Sequence, residues 1–198
     1  MKISSVLITV GFISVALAII IFTVTFYPVI LVEVNYQVTQ AQGGLKVKKE
    51  IAPKDTDFGI VVPKISANVK VIPNVDPYNS SEYQLALTRG VAHALGTSLP
   101  GSAGNVFLFS HSSVNFYEAN RYNSIFYLLD KLEVGDEIDL YYKGEKFKYL
   151  VTDKKIVGAE EVKYLSGDGS KKAVTLMTCW PPGTTFKRLL VIGELSEH

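Results

Sequence analysis

The stretch Glu137-Ile138-Asp139-Leu140-Tyr141-Tyr142-Lys143-Gly144-Glu145-Lys146-Phe147-Lys148-Tyr149-Leu150-Val151 decides the fold class. Polar and apolar residues alternate through Glu137–Tyr142 and again through Glu145–Ile156, and Lys143-Gly144 between them is a hairpin signal. A period of two means strands with one buried face. Moving upstream, Val106-Phe107-Leu108-Phe109 is an unbroken apolar run bounded by Gly104 and polar residues, which fits a strand buried on both faces. Phe58–Ile65 and Val69–Val75 are β-branched runs broken by Pro63 and Pro73, which suits edges or strand ends. Ala173–Thr178 and Arg188–Leu195 complete the strands. A short helix is expected from a cap at Ser80 or Ser81 through Leu87, and an amphipathic one over Asn123–Leu132. The stretch around His93, from Gly90 to Gly101, is loop-like. Short strands with one or two small helices predict a mainly β domain, a closed or partly closed barrel. The roughly 140 residues from Phe58 onward suffice for one core.

The N-terminus is different in kind. The 198-residue chain is 47% hydrophobic with a mean hydropathy of +0.20, and the excess is concentrated there. No charged residue occurs from Ile3 to Val32. About 20 apolar residues span a bilayer core, so residues 1–32 are expected to form a retained transmembrane signal anchor. The apolar run is about twice the length of a cleaved signal core, and Ala16-Leu17-Ala18 falls in its middle. Phe26 and Tyr27 are placed as interface aromatics, and Pro28 is expected to end the helix. Residues 33–57, with Gly43-Gly44 in the middle, are expected to be a stalk, and 58–198 the functional domain. Lys2 favours a cytoplasmic N-terminus, while Lys46, Lys48, Lys49 and Lys54 oppose it by the positive-inside rule. The chemistry below favours a single-pass protein with its domain outside the cell membrane.

A net charge of +1, with no basic stripe interleaved with aromatics, gives no reason to expect nucleic acid as a partner. The chain has one cysteine, Cys179, so no intramolecular disulfide is possible. It follows the strand-like Thr175-Leu176-Met177-Thr178 and precedes Trp180-Pro181-Pro182-Gly183, where a side chain would be presented at a rim. We read it as a nucleophile, which needs a proton-transfer partner and an oxyanion support. His93 and His111 are the available histidines, since His198 ends the chain. His111 directly follows the Asn105–Ser110 strand and is the better placed of the two. Among Arg89, Arg121 and Arg188, the last begins the strand after the Cys179 turn; Arg121 reads as a helix-start surface residue.

At these residues the chain resembles the sortases, membrane-anchored cysteine transpeptidases of the bacterial surface. Thr175-Leu176-Met177-Thr178-Cys179 followed by Arg188-Leu189 is similar to the family's TLxTC…R signature. Gly90-Val91-Ala92-His93 through Gly96-Thr97, Leu99-Pro100-Gly101 and Gly104-Asn105-Val106 is similar to the stretch leading to its histidine. The resemblance covers roughly Phe58 to Glu194. It implies a sortase-like closed β-barrel of about eight strands, with Cys179 as nucleophile, His111 as proton donor and Arg188 as oxyanion support. It also implies substrate contacts from Thr178, Leu176 and Trp180. The implied reaction cleaves an LPxTG-like C-terminal sorting signal on surface proteins through a thioacyl-enzyme. The protein is then transferred to an amine acceptor, a cell-wall precursor or a pilin lysine. Ser110 stands where the family usually has glycine, and Leu95 where many members have proline.

No cofactor is expected and no metal site is assigned. Some sortases use calcium, but Glu160, Glu161 and Asp168 read as solvated loop acids. Two other functions fit parts of the sequence. One is another extracellular cysteine acyl-transferase, such as an L,D-transpeptidase, whose Ser-x-Gly-Cys motif this chain lacks. The other is a non-catalytic membrane-anchored β-domain that recruits surface proteins, in which Cys179 would be buried and inert.

Overall fold

Each alternating or continuous apolar run becomes a strand in the computed structural model, which describes residues 2–41, 51–112, 125–161 and 169–196. The strands are β1 (Phe58–Val62), β2 (Ala67–Val75), β3 (Val91–Ala94), β4 (Gly104–Phe109), β5 (Glu137–Tyr142), β6 (Glu145–Gly158), β7 (Lys172–Trp180) and β8 (Lys187–Leu195). They close into a barrel in the order β1-β2-β3-β4-β7-β8-β6-β5. Lys143 and Gly144 both take positive φ, 51° and 85°, as a two-residue turn between right-twisted strands requires. Closure leaves no edge strand, so Pro73 is accommodated otherwise: the β2–β3 register shifts between Ile72 and Val75. Pro63 opens a 3-10 turn, Pro63–Ile65, and ends β1 three residues early.

Two neighbouring pairs are parallel, β2–β3 and β4–β7; the others are antiparallel. The first crossover carries helix α2 (Ser80–Leu87). Its cap is Asn79, whose side chain accepts from the Glu82 N–H, while Glu82 reaches back to the Asp76 N–H. The second crossover is the β5–β6 hairpin. A parallel pair brings two strand C-termini to the same end, so β4 and β7 both stop at one rim of the barrel.

The faces of β4 and β7 separate cleanly. Leu108, Leu176 and Val191 lie side by side on β4, β7 and β8 and have no exposed surface, so they point into the barrel. Phe107 and Phe109 alternate outward and form a second cluster with Ala86 and Leu87 of α2, to which Met177 and Tyr83 add. The helix therefore covers the outer face of β3 and β4.

The amphipathic pattern of Asn123–Leu132 does not yield the expected α-helix. Residues 123–124 lie outside the described residues, 125–128 form turns, and only Leu129–Lys131 is helical, as a 3-10 turn. Phe126, Leu129 and Leu132 are nevertheless fully buried. Lys154 Nζ donates to the Asp130 and Leu132 carbonyls at 2.8 Å, replacing the bonds a further helical turn would supply. Burial satisfied by a tighter turn has overridden the 3.6-residue period.

The chain divides into two units, Met1–Lys49 and Glu50–His198. The first contains α1 (Lys2–Ala41), whose Leu7–Val24 window is long and apolar enough to cross a membrane. This helix does not end at Pro28. A proline removes one interior hydrogen bond, but the residues beyond it to Ala41 contain no second breaker, and Gln37 bonds Glu33 one turn away. At the start of the second unit, Asn68 grips the incoming chain twice. Its side chain donates to the Ala52 carbonyl and accepts from the Lys54 N–H, each at 2.8 Å.

Candidate active site

Strand register places the singled-out residues. Cys179 on β7 lies directly opposite Arg188 on β8. On its other side, β4 pairs in parallel with β7 through Phe109↔Met177, and the Ser110 N–H donates to the Met177 carbonyl at 3.1 Å. His111 follows two residues beyond that last pair, at the barrel end where β7 carries Cys179. The Cys179–Arg188 pair and the end of β4, which leads into His111, thus meet at one rim. Cys179 is a free thiol, partly exposed, on the same outward face as Met177. Below it the floor is apolar, built from Met177 and Phe109, with Tyr83 of α2 edge-on to Phe109 at 6.3 Å. A short peptide lying over that floor would reach the thiol from the outside of the barrel.

Arg188 is half-buried, and its Nη1 donates to the Thr185 and Lys187 carbonyls, each at 3.0 Å. Those bonds tie the guanidinium to the backbone of the β7–β8 connection. A fork held by one nitrogen keeps further N–H donors for an anionic oxygen. The connection itself is short, and its Phe186 is 76% exposed.

His93 lies elsewhere. It belongs to β3, a strand the loop-like composition around it hid, and it pairs with Leu108. That pairing turns it inward, where it has no exposed surface and packs against the Phe58 ring at 5.5 Å. Its Nδ1 accepts the Asn74 N–H, so its Nε2 carries the proton and faces the Ser98 carbonyl at 3.1 Å and Thr97 Oγ1 at 3.0 Å. Burial pushes its pKa below the ordinary value, and the Ser98 carbonyl opposes that only in part. The ring is a neutral clamp between the irregular part of β2 and the β3–β4 loop.

Of the three residues expected to touch substrate, two are walled off. Leu176 is 0% and Thr178 2% exposed, and both point inward, opposite to Cys179. The motif's alternation explains this: residues one and three positions before an outward cysteine must face in. Trp180, the third, is partly exposed. The Thr178 hydroxyl donates to the Ser110 carbonyl at 2.9 Å, a bond no sequence pattern signalled. Thr175, whose hydroxyl donates to Asn105 Oδ1 at 3.0 Å, ties the same two strands further down.

Arg121, Asp168 and His198 lie outside the described residues. Glu160 and Glu161 are exposed, and no group of three metal-ligating side chains occurs among the described residues.

The chain is similar to known proteins over this same unit. It is 24% identical over 136 residues to Sortase D of Bacillus subtilis, covering 67% of this chain and 60% of that protein. It is 29% identical over 146 residues to Sortase A of Listeria monocytogenes, covering 73% and 59%. The chain thus spans about three-fifths of the length of these two relatives. The crystal structure of sortase C-1 from Actinomyces oris superposes with a TM-score of 0.62 at 30% identity, covering 80% of this chain and 82% of that one. The sequence profile of the Sortase domain matches residues 60–196, from β1 through the end of β8, and the chain belongs to the sortase family.

Proposed function

We propose that this protein is a cysteine transpeptidase that cleaves an LPxTG-like C-terminal sorting signal and transfers the upstream protein to an amine. The observation that carries this reading is the pairing of Cys179 with Arg188 across β7–β8, at the rim where the parallel β4 ends just before His111. The partial exposure of Cys179 weighs against an inert, buried thiol.

In this reaction Cys179 Sγ, as thiolate, adds to the threonine carbonyl carbon. The carbonyl electron pair moves to oxygen, and the Arg188 guanidinium stabilises that oxyanion. On collapse the C–N bond breaks, and protonated His111 gives its proton to the departing glycine amine. The product is a thioester at Cys179. An acceptor amine then adds to the thioester carbonyl and loses its proton to His111, and the C–S bond breaks to regenerate the thiolate. The acceptor is a cell-wall precursor or a pilin lysine, and the donor a surface protein. Trp180 is the motif residue with surface to offer the signal.

The domain layout follows from the same reading. Residues 1–32 anchor the protein by a single pass, 33–57 form a stalk, and 58–198 act outside the cell membrane. The full chain in detergent micelles, given an internally quenched LPxTG-type peptide and triglycine, is expected to cleave the peptide and form the triglycine adduct. Cys179→Ala is expected to abolish both. Undiminished cleavage by that variant would overturn the mechanism.

A further inference from the structure

We propose that Thr178 is a positioning residue that frees the backbone N–H of Cys179 to serve as a second oxyanion donor. The inference rests on the transpeptidase reading for its biological reaction and on the β4–β7 ladder for its geometry.

A parallel ladder has a fixed rhythm: a residue donates its N–H to one residue of the neighbouring strand and accepts from the residue two positions further along. Ser110 follows the first half of that rule, donating to the Met177 carbonyl at 3.1 Å. The second half would bring the Cys179 N–H to the Ser110 carbonyl. The paired register stops at Phe109↔Met177, and among the described residues no backbone bond joins Cys179 to Ser110. That carbonyl instead accepts the Thr178 hydroxyl at 2.9 Å, with both partners buried. The side chain next to the nucleophile has therefore taken the acceptor belonging to the nucleophile's own amide.

The direction of the released N–H is determined by the same rhythm. The Met177 carbonyl points at β4, as its bond from Ser110 shows, and a period of two turns the Cys179 N–H to that same side. It faces the gap between Cys179 and His111, where a carbonyl under attack by Sγ would place its oxygen. The N–H of a nucleophile's own residue is a recurrent oxyanion donor in acyl transfer. Together with Arg188, from the β8 side, it would hold the oxyanion from both flanks. Thr178 also satisfies the Ser110 carbonyl, which would otherwise be a buried acceptor pulling the ladder shut.

The test compares two reactions of one thiol in the full chain in detergent. Acylation by p-nitrophenyl acetate passes through a tetrahedral oxyanion, whereas alkylation by iodoacetamide displaces iodide at saturated carbon and forms none. Thr178→Val keeps the shape, removes the hydroxyl and lets the Cys179 N–H close onto Ser110. Acylation is expected to fall by about 10- to 100-fold, and alkylation to change by less than about twofold. Thr178→Ser is expected to restore acylation. Acylation by Thr178→Val within twofold of wild type, or an equal fall in both reactions, would overturn the proposal.

If Thr178→Val does not fold, the wild-type chain decides. Selective 15N labelling of the single cysteine gives one cysteine amide resonance. Its hydrogen exchange is expected to be at least about 10-fold faster than that of Met177, which sits inside the ladder. Equal protection of the two would overturn the proposal. Wild-type chain that acylates with the expected Thr178 dependence but cleaves no sorting peptide would sink only the transpeptidase reading.

Discussion

Two histidines lie on either side of the β3–β4 loop and could hardly be more differently housed. His93 on β3 points into the barrel, has no exposed surface and spends both ring nitrogens on Asn74, Thr97 and Ser98. His111 follows the end of β4, partly exposed, at the rim that carries Cys179. Eighteen positions apart and flanked by similar small and polar residues, they differ because one sits within a paired strand and the other beyond a strand's end. The β3–β4 pairing, Ala92↔Phe109 and His93↔Leu108, puts His93 inside by alternation, while His111 lies past the last rung. An imidazole in the first setting stabilises the fold; the second is the setting in which we propose proton transfer.

The largest expected contrast is catalytic. His111→Ala should lower kcat for peptide cleavage by about 10²- to 10⁴-fold, the usual contribution of a positioned acid–base group. Its thermal midpoint should stay near that of wild type, because the side chain fills no part of the core. Steady-state kinetics beside a melting curve checks this. A variant that cleaves normally would remove His111 from the chemistry.

His93→Leu should show the reverse. It removes the partners of the partly buried Asn74 N–H and Ser98 carbonyl and reshapes a fully buried site, at a cost of about 1–3 kcal/mol in unfolding free energy. Cleavage per folded molecule should stay within about threefold. Urea unfolding with active-site titration measures both. A large loss of kcat with unchanged stability would mean that His93 reaches the reaction after all.

The smallest effect concerns pH. Burial holds the folded pKa of His93 below its ordinary value near 6.5, so the unfolded chain takes up the proton first as pH falls. The stability that the neutral ring contributes is complete above about 6.5. It is lost progressively as pH falls from there towards the depressed folded value. Wild type should therefore lose more stability between pH 7.5 and 5.0 than His93→Leu, since the two chains differ only at that ring. Parallel pH dependences would show that His93 is not held neutral.

Local pattern carried a good part of this protein. The alternation around Lys143-Gly144, the apolar run before Ser110 and the uncharged N-terminal stretch all act over a few residues, and each became the element its period implies. The motif around Cys179 singled out the proposed reacting groups because its residue types are chemically scarce in this chain: one thiol, three histidines, three arginines. What lay beyond reach depends on contacts between segments far apart in the chain. β3 has too few residues and too many glycines around it to stand out alone; it exists because β2 and β4 flank it. Asn123–Leu132 has helical periodicity, but Lys154 and the barrel rim chose a tighter turn. The family resemblance implied substrate contacts from Thr178 and Leu176, yet pleating turns both side chains inward. Side-chain identity and spacing are local quantities, whereas facing and register are settled only when strands nearly 70 residues apart, β4 and β7, lie side by side.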